Sequence, residues 1–213
     1  MAVVVATIPI GLEADCGEPM CSRLAYDLHR KLDTPKYMRG VSLMRCHDSR
    51  SEWEADHRTA RKRAWRAERL GYGFDRIDQS RFNDDIYEIN ISLERRQGRP
   101  MADGYRVKHY RGPLPVYPCE RHRIHTYGVL EQETLRAYLT LYRVGDLALV
   151  SMILGHGDHL RNDIMYLLAA GMIEAHAGEA CWFYYNRHDS GTEGLVYYKE
   201  RVGFRAEDIE WVL

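Results

Sequence analysis

Apolar residues fall on alternate positions from Leu135 to Tyr142, with Leu135, Ala137, Leu139 and Leu141 on one side and Tyr138 and Tyr142 on the other, the period of a β-strand. Thr126 to Leu130 reads as a strand before it, joined by a turn over Glu131 to Thr134, and Gly145-Asp146 closes a hairpin into an apolar strand from Leu147 to Ile153. A bend (Leu154-Gly155-His156-Gly157-Asp158-His159) leads to a helix over Asn162 to Ala177 that buries Ile164, Leu167, Leu168 and Ala175. Cys181 to Tyr185 is a further strand, and a polar loop then runs into a helix carrying Tyr197, Tyr198 and Lys199 and ending at Gly203-Phe204. A strand that delivers the chain through a glycine-containing bend to a helix N-terminus is a ready anion site, because unpaired N–H groups and the helix dipole point the same way.

The front half is less regular. Val3 to Ile10 is β-rich, Ser22 to Leu32 has the spacing of one helix face at Leu24, Ala25, Leu28 and Leu32, and Tyr37 to Arg45 reads as a strand. Ser51 and Glu54 read as a capping box for a helix running to about Leu70, stopped by Gly71 and Gly73. Phe74 to Ile77 reads as a strand, and Arg81 to Glu94 as a helix with Phe82, Ile86, Ile89 and Leu93 on one face, ended by Gly98-Arg99-Pro100. Residues 103 to 123, with Pro113, Pro115 and Pro118, read as a loop. Meander followed by strand, bend, helix, strand and helix gives an α/β class with a mixed, partly antiparallel sheet covered by helices.

The order from Tyr127 to Phe204 resembles the core of the GNAT acyltransferase superfamily. Asp189-Ser190-Gly191, Gly194-Leu195 and Lys199 followed by Gly203-Phe204 are similar to the end of its FemAB/BioF2-like branch. His57 to Trp65, Leu70-Gly71-Tyr72, Ile86-Tyr87-Glu88-Ile89 and Arg95-Arg96-Gln97-Gly98-Arg99-Pro100 follow in an order that branch also shows, so the resemblance covers about three-quarters of the chain. It implies a GNAT-like splayed sheet, with the acyl donor between two parting strands. It also implies an enzyme that moves an acyl group from acyl-CoA, acetyl-CoA being the commonest donor, to an amine on a small molecule, peptide or modified nucleic-acid base. Two alternatives stand beside this: a FemAB-type transferase using aminoacyl-tRNA, and a non-catalytic nucleic-acid-binding module on the same fold.

Acyl transfer to an amine needs a backbone donor for the acyl carbonyl, a proton acceptor for the amine and a proton donor for the leaving group. The resemblance puts Tyr198, or else Tyr197, at the proton donor, although core packing accounts equally for two tyrosines there. Gly155 and Gly157 offer N–H groups, and His156, His159 and Arg161 offer positive character, for a donor pyrophosphate. His188 and Asp189, in a polar loop after a buried strand, are the candidate bases, with a helix cap as the other reading of Asp189. Glu88 and Arg99 are candidates for an acceptor pocket or for an exposed salt bridge. His122 and His125 have no role beyond a substrate rim.

With 213 residues and 45% hydrophobic content, the chain suits one domain over 1–213, the first fifty residues being least defined by pattern. The net charge of −1 hides a basic stretch, 14 Lys/Arg against 8 Asp/Glu between His57 and Arg111. That stretch is a candidate contact for tRNA or DNA, with Arg61, Lys62, Arg63 and Arg66 on the phosphates, or simply a solvated face. No run reaches the roughly 18 apolar residues of a membrane span, and Met1 to Val5 lacks the basic flank of a signal peptide, so no membrane partner and a cytoplasmic location are expected. The five cysteines, odd in number and scattered, predict reduced thiols. Cys16 and Cys21 have zinc-like spacing but no evident second pair, so no metal is expected.

Overall fold

The computed structural model describes residues 7–213. Of the β-rich run at the start, Ile8–Gly11 forms strand β1, and the part before residue 7 lies outside the described residues. Helix α1 (Pro19–Leu32) starts with proline in its first turn, where the missing N–H costs nothing, and buries Cys21, Ala25, Leu28 and Leu32. Strand β2 (Val41–Arg45) follows a short 3₁₀ turn at Pro35–Tyr37. The helix expected from Ser51 is two helices, α2 (Arg50–Asp56) and α3 (Arg58–Arg69), parted at His57. The cap is Ser49, which accepts from the Glu52 N–H at 3.1 Å, while Glu52 reaches back to the Asp48 N–H at 2.8 Å, so the box lies two residues earlier than Ser51 and Glu54 suggest.

Strand β3 (Tyr72–Ile77), helix α4 (Asn83–Ile91), a small hairpin of β4 (Arg95–Arg96) and β5 (Arg99–Pro100), and one helical turn, α5 (Asp103–Arg106), lead into the proline-rich loop. The meander is β6 (His122–Glu131), β7 (Thr134–Val144) and β8 (Leu147–Gly155). Helix α6 (Ile164–Ala175), strand β9 (Trp182–Arg187), helix α7 (Glu193–Val202) and two strands beyond the expected end, β10 (Arg205–Glu207) and β11 (Ile209–Val212), complete the chain.

Seven strands form one sheet in the order β10-β2-β9-β8-β7-β6-β3, and β1 pairs in parallel with β11 as a separate ribbon. Within the large sheet only β8 and β9 run parallel, and their pairing is confined to Leu147–Leu149 against Trp182–Tyr184. This is the mixed, partly antiparallel sheet that the chain pattern predicts, covered by helices on both faces.

One face carries α2, α3 and α6 over Val129, Ala137, Leu139, Leu141, Ala148 and Phe183. The other has two smaller cores, α1 with the β1–β11 ribbon at one end and α4 at the other. Helix α6 departs from the expected single apolar face. Tyr166 to Ile173 are all buried and Ala175 is exposed, because α6 is sandwiched between the sheet and α3. Gly171 permits this, since a Cβ there would sit 2.1 Å from the Phe74 ring. Leu135 also departs from its expected face. The register against β6 shifts by one residue at Arg136, and this bulge turns Leu135 toward Tyr138 and α4 and away from Ala137 and Leu139.

Two cysteines expected to be reduced, Cys46 and Cys181, form a disulfide across β2 and the entry to β9, with Cα atoms 5.5 Å apart. At the far end of the meander Tyr127 hydrogen-bonds His176 at 3.0 Å, His176 meets Glu179 at 3.2 Å, and Glu179 also pairs with Arg123 and, at 3.0 Å, with Arg143. Burial alone pushes the Glu179 carboxyl up, but the His176 hydrogen bond and the two arginines outweigh it and hold it down at about 2. Its folded value is depressed, so the stability it contributes is present above the ordinary value of 4.5 and is lost as pH falls toward about 2. Urea midpoints between pH 5 and 2.5 should fall by an amount equivalent to about 1–3 kcal/mol, after discounting for partial exposure, and Glu179→Gln should flatten that slope.

Candidate functional site

The parting of β8 and β9 has two local causes. Against β7, β8 carries one unpaired residue, Ser151, between Val150 and Met152. Against β2, β9 carries an extra residue between Tyr184 and Arg187, where Asn186 adopts a left-handed conformation with φ of 52°. A bulge bends its strand and raises the local twist. Both lie one or two residues past the last β8–β9 pair, so the strands diverge from there and their facing edges have no strand partner.

The resulting cleft, about 480 Å³, is lined by Ile153, Leu154 and Gly155 of β8, Tyr185 of β9, Met165 and Tyr166 of α6, Leu195, Tyr197 and Tyr198 of α7, and the Arg95–Gln97 hairpin. Its walls are apolar and aromatic, with arginines at the rim. Arg96 is a structural tie, donating to the carbonyls of Gly155 at 2.8 Å and Ile89 at 2.6 Å, and burial lowers its pKa.

The bend after β8 has its N–H groups occupied. That of His156 donates to the Arg136 carbonyl at 2.7 Å, Gly157 to Ser92 Oγ at 2.9 Å, Asp158 to His156 Nδ1 at 3.4 Å and His159 to the His156 carbonyl at 3.0 Å. The two glycines are required by packing: a Cβ on Gly155 would lie 2.6 Å from Met165 Sδ, and one on Gly157 2.8 Å from the Leu93 side chain. His159 is tied to the Tyr72 hydroxyl at 2.7 Å, and the Arg161 carbonyl accepts from Arg66 at 2.9 Å.

Asp163 caps the start of α6 with φ of 63°, a conformation aspartate tolerates better than most residues. Its nearly buried carboxylate is held by Arg63 at 3.1 Å and Arg66 at 2.8 Å. The carboxylate makes no hydrogen bond to the first N–H groups of α6, and two of the four basic residues expected on nucleic-acid phosphates are engaged with it. Arg63 also lies over the Tyr166 ring at 5.1 Å, Arg61 lies over Trp65 at 4.9 Å, and Lys62 is exposed.

On α7 the Tyr198 hydroxyl turns inward and donates to the Met165 carbonyl at 3.0 Å. Burial first, then the neighbouring Tyr185 and Tyr166, push its pKa well above that of a free phenol. Tyr197 is exposed, with Arg201 over its ring at 4.8 Å. Lys199 is fully buried, although nothing in the helical spacing marks it for burial. Its Nζ lies 2.5 Å from the Arg187 carbonyl and 3.2 Å from Ser190 Oγ, and 5.0 Å from the Tyr185 ring centre. It thus satisfies groups that the β9 bulge turns away from the sheet, and burial lowers its pKa to about 8.

The two expected bases lie outside the cleft lining. His188 meets Ser42 Oγ at 3.2 Å and Glu200 at 3.7 Å on the β2 side of β9, and Asp189 is an exposed partner of Arg187 at 2.5 Å. Glu88 and Arg99 are exposed and also line neither this cleft nor the next. A second cavity of about 270 Å³ lies between α4 and the 102–111 segment, reaching Met152 of β8 beside Asn83, Asn90, Tyr105, His109 and Arg111. Sequence reading missed it because its polar groups come from a helix face and a loop that no spacing connects.

No family model matches the chain, and no curated protein matches it. Among solved structures it is similar to a C-terminal DUF2156 domain from Agrobacterium fabrum assigned to a lysylphosphatidylglycerol synthetase, at 13% identity and a TM-score of 0.48, covering 89% of this chain and 64% of that one. It is also similar to a GCN5-related N-acetyltransferase from Kribbella flavida, at 13% identity and a TM-score of 0.45, covering 87% of this chain and 60% of that one. A GCN5-related N-acetyltransferase-like protein from Streptococcus suis matches at 13% identity and a TM-score of 0.43, covering 88% of this chain and 64% of that one. The chain thus spans less than two thirds of each of these proteins.

Lys199→Met removes the ammonium while keeping most of the packing volume, and leaves the Arg187 carbonyl with Ser190 Oγ, at 2.7 Å, as its remaining side-chain donor. Urea denaturation should show a loss of about 1–3 kcal/mol, the worth of a hydrogen bond from a charged donor. An unchanged midpoint would mean that the bulge holds without the lysine.

Proposed function

We propose that the protein is an acyltransferase that moves an acyl group from a coenzyme A thioester to an amine, with the acyl-bearing arm of the donor lying between β8 and β9. The observation that carries this reading is the parting of two parallel strands at Leu149 and Tyr184, which leaves two unpaired backbone edges along an apolar cleft. An extended amide-containing arm satisfies such edges as an added strand would. An N–H of the β8 edge would polarise the acyl carbonyl and hold the oxyanion that forms when the amine attacks. Collapse of that intermediate expels the thiolate, which takes a proton from Tyr198, and the surplus proton on the acylated nitrogen returns to the Tyr198 oxygen, so that thiol and amide leave and the phenol is restored. For this, the leaving sulfur must replace the Met165 carbonyl as the acceptor of the hydroxyl. The cavity across β8, beside Met152, is the candidate acceptor pocket, with Asn83, Asn90 and Tyr105 as its polar groups.

An aminoacyl ester on tRNA is the second reading of the donor, favoured by one specific observation. The N–H groups of His156, Gly157, Asp158 and His159 are already bonded, so the bend from His156 to His159 holds no open cradle for a pyrophosphate. Calorimetry with coenzyme A and with tRNA, separately, distinguishes the two. Saturable coenzyme A binding without tRNA binding supports the thioester. The reverse pattern, with an affinity that falls steeply with salt, moves the donor to aminoacyl-tRNA. Binding of neither would overturn both.

Tyr198→Phe keeps the ring and removes the transferable proton, so turnover should fall by about 10² to 10⁴ while donor affinity stays near wild type. Loss of the bond to the Met165 carbonyl should cost about 1 kcal/mol of stability. Tyr197→Phe is the control, and should leave turnover unchanged. A Tyr198→Phe protein with wild-type turnover would take this hydroxyl out of the reaction.

A further inference from the structure

Cys16, Cys21, Cys119 and His122 come from four separate places: the turn before α1, the first turn of α1, the end of the proline-rich loop and the first residue of β6. Their Sγ atoms and the available imidazole nitrogen all lie within 4.8 Å of one another. Cys21 and His122 are fully buried, and Cys16 and Cys119 are half-buried. His122 Nδ1 faces Cys119 Sγ at 3.4 Å, while its Nε2 is buried without a hydrogen-bond partner. Sequence reading stopped at Cys16 and Cys21 for want of a second pair, and Cys119-Glu120-Arg121-His122 supplies it across a hundred residues.

We propose that these four side chains bind one Zn²⁺ ion as a closed structural site. Zinc–sulfur bonds of about 2.3 Å and zinc–nitrogen bonds of about 2.0 Å place tetrahedral ligand atoms roughly 3.5 to 3.8 Å apart, so the cluster needs only a small contraction to enclose the ion. Three soft sulfurs and one imidazole are a zinc donor set, whereas calcium and magnesium require oxygens. The set also explains the burial of an imidazole among thiols better than a disulfide does, since a disulfide would use two sulfurs and leave the third and the ring idle. Three thiolates, a neutral imidazole and the ion sum to one negative charge. Four protein ligands leave no open position, so the ion ties the chain together and takes no part in acyl transfer. It fastens the segment that carries Leu12, Ala14 and α1 to the start of β6, across the core on the α1 face. All five cysteines then have a place, two in the disulfide and three on the metal.

The test uses the wild-type protein first. Elemental analysis of the folded chain, purified without added chelator and then dialysed against Zn²⁺ and metal-free buffer, should give one zinc per chain. Cys16, Cys21 and Cys119 should resist a thiol reagent until a strong chelator is added. Replacing zinc with Co²⁺ should produce the thiolate charge-transfer and intense visible bands of a tetrahedral sulfur site. Cys16→Ser, at the half-buried position least needed for packing, should weaken zinc binding by at least about 100-fold in competition with a chromophoric chelator. Folded wild-type protein holding less than about 0.1 zinc per chain after incubation with the ion, or a disulfide within this trio found by peptide mass mapping, would overturn the proposal.

Discussion

Two extra residues decide the shape of this protein. Ser151 on β8 and the added residue at Tyr185–Asn186 on β9 sit just past the last parallel pair, and each bends its own strand where the other also bends. Without them, β8 and β9 would continue pairing to Gly155 and Arg187, and their edges would satisfy each other. With them, the sheet opens into a cleft whose backbone groups await a ligand. The rest of the structure supports the opening. Lys199 bonds the carbonyl turned out by the β9 bulge, Arg96 bonds that of Gly155 at the end of β8, and α6 and α7 supply the aromatic walls.

The chemistry of the cleft follows from what its neighbours have already used. A helix N-terminus after a glycine bend is a general anion site, yet here the N–H groups of the bend are bonded within the protein and Asp163 engages Arg63 and Arg66. Gly155 and Gly157 are small because Met165 and Leu93 pack where their side chains would stand. In the proposed reading, the strand edges and apolar walls would recognise an acyl arm of either donor class, and the donor's phosphates would fall to groups outside the bend.

The mixed sheet, its antiparallel meander and most of the helices are legible in the sequence, because alternation in β7 and the apolar spacing of α1 and α4 are local signals. The bulges are not. The extra residues, Arg136 and Ser151, are polar, and a polar position inside a strand reads equally as an ordinary solvent-facing one, so Leu135 changes face without a signal. Tyr198, named through the family resemblance, lines the cleft, and its part in proton transfer belongs to the proposal. His188 points to the β2 side of β9 and Asp189 to solvent beside Arg187, just after the left-handed Asn186. The Cys16, Cys21, Cys119 and His122 cluster is written in two short spacings, and only the tertiary structure brings them together.

A donor lying along the opened edges of β8 and β9, as proposed, should perturb the backbone of both strands. Backbone amide shifts recorded during titration with coenzyme A, and separately with an unreactive aminoacyl-adenosine amide, measure this. The largest changes with one of these ligands are expected at Val150 to Gly155 and Tyr185 to Arg187. Saturable changes confined to the 102–111 cavity or to α3, with both strand edges unmoved, would contradict it.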